Sequence, residues 1–116
     1  MPPNQSPPAP SGPAYSARVA LSCTRGHAPG PVLHALQELR SAIDDRLRGE
    51  LGSSYERHSA QSIGTDKLTV TFVVRAASPA DAIRAAGVAA ATLVEILTQT
   101  TAAVDVSGLA LVVRAQ

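Results

Sequence analysis

With 116 residues the chain has room for one hydrophobic core and not for two. Ten basic against nine acidic side chains leave a formal charge of +1, which excludes a long-range field for capturing nucleic acid or an anionic membrane. A single cysteine excludes an internal disulfide framework, and no apolar run approaches the roughly 18–20 residues of a membrane span.

The first residues, Met1–Ala14, hold six of the nine prolines and nothing that can build a core, so a disordered tail is expected there. No basic region followed by an apolar stretch marks a secretory signal, and a soluble cytoplasmic protein is expected. Tyr15–Thr24 then alternates. Tyr15, Ala17, Val19, Leu21 and Cys23 form one face and Ser16, Arg18, Ala20, Ser22 and Thr24 the other, the two-residue period of a strand. The loop Arg25–Gly30 follows, and Pro31 opens a helix. Val32, Leu36, Leu39, Ile43 and Leu47 make one apolar stripe along it. Asp44 and Arg48, four apart, can pair for roughly 0.2–0.5 kcal/mol. Gly49 and Gly52 mark the helix end.

Ser54–Ser62 is too polar for a central strand and has no helical stripe, so it reads as a protected edge strand. Ile63-Gly64-Thr65-Asp66 reads as a hairpin turn. Beyond it Leu68, Val70, Phe72, Val74 and Ala76 alternate with Thr69, Thr71, Val73 and Arg75. With a single Phe and no Trp, Phe72 is the one large ring available to that strand's inner face, and the core must otherwise be aliphatic. Ser78-Pro79-Ala80-Asp81 is a helix start, with Ser78 as cap, Pro79 in the first turn and the Asp81 carboxylate able to reach back. The helix, Pro79–Thr98, is expected to bury Ile83, Ala86, Gly87, Ala90, Leu93, Val94 and Leu97. Gly87 would be offset by close approach to the sheet. A smaller stripe, Ala85, Ala89, Thr92 and Ile96, hints at a partner. The last strand, Ala103–Arg114, is interrupted at Ser107-Gly108, where a bulge fits.

Strand, helix, hairpin, helix, strand is the order of the ferredoxin-like βαββαβ two-layer sandwich, in which two helices cover one face of a four-stranded antiparallel sheet. Right-handed crossovers give the spatial order fourth, first, third, second. The polar strand then lies at one edge. The other edge is Leu109–Val113, apolar and unguarded.

No constellation for catalysis is visible. His27, His34 and His58 have no metal-ligand spacing with any Cys or carboxylate, so no metal or cofactor is expected and the histidines read as surface or loop residues. Asp44 and Asp45 diverge on a helix as solvated charges, and Cys23 reads as a buried, inert thiol. RNA-recognition domains share this element order, but Phe72 falls on the helix side and Thr69, Thr71, Val73 and Arg75 carry no ring, which argues against nucleic-acid binding. The leading expectation is a non-catalytic domain that self-associates, as a homodimer or higher homo-oligomer. Either the open face (Arg18, Thr69, Thr71, Val73, Val112) or the last strand (Leu109, Leu111, Val112) would carry the contact. A second expectation is a small-molecule sensor holding an anion at Arg25, Gly26, His27 and Gly30, before a helix amino terminus. A third is a small enzyme whose pocket is not visible in the sequence.

Overall fold

The computed structural model describes residues 12–24, 26–101 and 103–116. Most of the expected tail, residues 1–11, lies outside the described residues, as does Arg25. The protein is α+β, with one four-stranded antiparallel sheet and three helices. The elements run β1 (Ala14–Cys23), α1 (Pro29–Glu38), α2 (Arg40–Leu51), a single 3-10 turn (Gly52–Ser54), β2 (Tyr55–Ile63), β3 (Lys67–Arg75), α3 (Pro79–Thr100) and β4 (Val104–Ala115).

The two alternating segments, β1 and β3, pair antiparallel from Ala14↔Arg75 to Ser22↔Lys67 and form the centre of the sheet. The order β2-β3-β1-β4 leaves the polar strand at one edge and the last strand at the other. Ala17, Val19 and Leu21 of β1 and Leu68, Val70 and Phe72 of β3 are at most 1% exposed and share one core with all three helices. Bulges interrupt the pairing on both flanks. On β4, Ala20↔Ala110 gives way to Ser22↔Asp105, so the extra residues fall around Ser107-Gly108. The Asp105 carboxylate accepts from the Ser107 N–H and hydroxyl there, at 2.9 and 2.6 Å. On β2, the register shifts between Tyr55↔Val74 and Arg57↔Val73.

Two expectations are corrected. The first helix is two helices, divided at Leu39, where ψ opens to 2°. Neither proline nor glycine stands at the break, so no residue announces it. Val32 and Leu36 on one side and Ile43 and Leu47 on the other still reach the core. Gly52, with φ of 60°, ends α2 in the left-handed conformation that glycine adopts without steric cost. The second correction is the phase of α3. Its buried face is Ala82, Ala85, Ala86, Ala89, Ala90, Thr92, Leu93 and Leu97, so Ile83 is 58% exposed and most of the smaller stripe, Ala85, Ala89 and Thr92, is core. Gly87 is exposed, and a Cβ built on it meets nothing within 4 Å, so no close approach to the sheet explains it. At the start of α3 the Ser78 hydroxyl accepts from the Asp81 N–H, while the Asp81 carboxylate pairs with Arg84 at 2.6 Å. Among the described residues no helix is long and apolar enough to cross a membrane.

Candidate functional site

In a regular strand, residues three apart point to opposite faces. The bulge at Glu56-Arg57 changes that parity, and both Tyr55 and His58 turn toward the helix layer, 4% and 5% exposed. Opposite them stands α2, whose Asp44 projects between the two. The Tyr55 hydroxyl donates to Asp44 Oδ1 in a short hydrogen bond. His58 Nδ1 lies 2.9 Å from the same oxygen and 2.7 Å from the Tyr55 oxygen. Arg48, one turn beyond Asp44, stacks its guanidinium over the Tyr55 ring at 5.7 Å. The Asp44–Arg48 salt bridge expected on the helix surface does not form; Asp44 turns to Tyr55 and His58, and Arg48 to the Tyr55 ring. His58, expected as a surface histidine, is instead a core residue whose ring packs 5.8 Å from that of Phe72.

The electrostatics of the cluster follow from this geometry. Burial pulls the Asp44 carboxyl upward, but hydrogen bonds from Tyr55 and His58 and the charges of His58 and Arg48 outweigh it and hold Asp44 below the usual carboxylate range. Burial and the adjoining Asp44 carboxylate push the Tyr55 phenol far above its usual range, so it stays protonated and donates. An ionised carboxylate only accepts, and the Tyr55 proton is already directed at it. The hydrogen between His58 and these oxygens must therefore sit on Nδ1. That leaves Nε2 without a protein partner among the described residues, yet no buried polar side-chain atom is both enclosed and unsatisfied. His58 also lines an opening on this flank. This is a cleft of about 120 Å³ lined by Leu36 and Gln37 of α1, Arg40 of α2 and His58, Ser59 and Ala60 of β2. Arg40, the first residue after the helix break, donates to the His58 carbonyl at 3.5 Å. A carboxylate-steadied imidazole, a guanidinium and an amide thus share one small opening.

The residues singled out from the sequence are not brought together there. Gly26 and His27 are exposed, and Gly30 is the second residue of α1. Pro29 and Pro31 lack N–H groups, so this helix end offers an anion few donors. On the sheet's open face, Thr69 and Val73 are only 3% and 6% exposed, shielded between the neighbouring strands, whereas Arg18 and Val112 are open. Leu109 and Leu111 turn the other way and pack, half-buried, against the core. Cys23 is buried, and burial together with the Asp66 carboxylate raises its thiol. Among the described residues no group of three His, Cys, Asp or Glu side chains is placed to hold a metal. The sequence carried one usable sign of the cluster, a Tyr-x-x-His pair in an otherwise polar edge strand, but only the bulge makes the two neighbours. No known protein family, characterised protein or solved structure matches the chain, so any functional reading rests on this geometry.

Proposed function

We propose that the protein is a ligand-binding domain that takes a small anion, of carboxylate or phosphate size, into the cleft between α1, α2 and β2. The observation that carries this reading is the buried His58 ring, with Nδ1 held by Asp44 and Tyr55 and Nε2 outside that network, in a residue that lines the cleft. With Nδ1 already protonated, Nε2 presents a lone pair when the ring is neutral and an N–H when it is charged. An anion selects the charged form, in which the imidazolium is matched by Asp44 and the Arg40 guanidinium supplies the net positive charge. Asp44 and Tyr55, the two titratable groups on the ring, both lie at Nδ1 and neither lines the cleft, which favours binding over turnover. The reading moves the anion from the 25–30 loop to a place where two cationic donors converge. For the scaffold, the strand order and the helix layer support a ferredoxin-like βαββαβ sandwich whose first helix is divided at Leu39.

Calorimetric titration with inorganic phosphate and with acetate tests the site. Saturable binding of one or both anions is expected. His58→Gln and Arg40→Gln should each abolish it. Affinity that ignores both substitutions would remove the reading.

A further inference from the structure

The open face of the sheet has a charge pattern that the cleft does not use. Register places Arg18, Arg57, Lys67, Arg75 and Arg114 on it, against two acids, Glu56 and Asp105. Glu56 is taken up by Arg57 and Arg75, and Asp105 by Ser107. Arg18 and Arg114 have no carboxylate partner among the described residues. Arg18 sits opposite Val112 and Ser16 opposite Arg114, and these four side chains line a depression of about 100 Å³. The depression abuts β4, whose outer edge pairs with no strand among the described residues. From Leu109 to Val113 that edge carries neither charge nor proline, the two usual guards against added strands.

We propose that β4 accepts an extended acidic segment of a partner protein as a fifth strand. Carboxylates alternating along that segment reach Arg18 and Arg114 on the open face, and its other, apolar side continues the half-buried layer of Leu109, Leu111 and Val113. Backbone pairing supplies the affinity and the two arginines supply the selection. A second copy of this chain is the competing occupant of the edge. It fits less well, because its own β4 has no acid beyond Asp105, which the bulge already engages. Nucleic acid is disfavoured because Tyr15, Tyr55 and Phe72 are all buried on the opposite side, leaving no ring for a base to stack on.

The test is fluorescence anisotropy on the full chain with a short labelled peptide alternating glutamate and valine. Three controls accompany it: the same peptide with lysine for glutamate, the same peptide with proline at the valine positions, and oligothymidylate. The glutamate–valine peptide is expected to bind at least about tenfold more tightly than each control, and R18E/R114E to cut that binding by a similar factor. Equal binding of the proline peptide or of oligothymidylate would overturn the proposal, since charge alone would then explain it. So would a chain that sediments as a dimer and ignores the peptide. Should the charge-reversed chain not fold, the peptide arms decide by themselves.

Discussion

The two flanks of the sheet are held to their helices by different chemistry. On the β2 flank, α2 is tied down by side-chain hydrogen bonds, with Asp44 receiving Tyr55 and His58. Glu50 of α2 accepts from Thr92 of α3 at 2.8 Å, and Arg46 reaches Glu95 at 2.7 Å. On the β4 flank, α3 lies against the sheet through alanines and leucines, and Leu109, Leu111 and Val113 close the layer by contact alone. Apolar packing tolerates small shifts of one surface over another, whereas the Asp44–Tyr55–His58 cluster works only at one register. The difference teaches where function can reside, because on the β2 flank hydrogen bonds hold a polar ring, that of His58, in one place.

The largest expected effect is at Phe72, in the middle of the core and against the His58 ring. Phe72→Ala should cost about 3–5 kcal/mol in urea denaturation, nearly the whole stability of a domain this size. A loss below about 1 kcal/mol would mean that the ring is not shared by the two flanks. Next comes the cluster itself. Asp44→Ala leaves the Tyr55 hydroxyl and the His58 Nδ1–H without their acceptor and should cost about 1–3 kcal/mol. An exposed carboxylate, as Asp44 was expected to be, would cost almost nothing.

Most of the apolar skeleton was legible in the sequence. Alternation in 15–23 and 68–76 told which residues turn to the helices, though not that Thr69 and Val73 on the other face are buried too, and the polarity of 55–62 put that strand at an edge. The helix phases were less legible. With so many alanines in 80–91, several stripes along α3 are equally apolar, and the larger Ile83 and Val94 favour a different stripe from the buried Ala82, Ala85 and Ala89. The cluster was hidden for a different reason. A one-residue bulge in β2 reverses side-chain parity, and nothing short of the pairing register reveals it. Buried polar networks are defined by what faces them, and Asp44 lies eleven and fourteen residues from its partners.

Acid sharpens the comparison further. Asp44 is held below its ordinary value of 3.8, so its contribution to stability is complete above that pH and is lost as pH falls through the lower, folded value. Tyr55 works in the opposite sense: its folded value lies above the ordinary 10.0, so its contribution holds below pH 10 and is lost as pH rises through the folded value. Thermal melts should therefore show loss of stability below about pH 4 that is reduced in Asp44→Ala, and alkaline loss above about pH 10 that is reduced in Tyr55→Phe. Identical pH profiles for the parent and both variants would mean that the cluster does not titrate as its geometry requires.

The smallest effect tests the apolar flank, and its sign is the informative part. Gly87 stands in the interior of α3, where glycine costs about 1 kcal/mol relative to alanine. A methyl group placed there meets open space. If α3 is only a lid on the sheet, Gly87→Ala should stabilise the chain by about 0.5–1 kcal/mol and raise the melting temperature by a few degrees. The substitution touches neither Asp44 nor the cleft, so phosphate binding should be unchanged. A lowered melting temperature would show that something other than water lies against Gly87 in solution. Sedimentation of the two chains side by side would then say whether it is a second copy, because a methyl group wedged into a helix contact between copies lowers the mass as well as the stability.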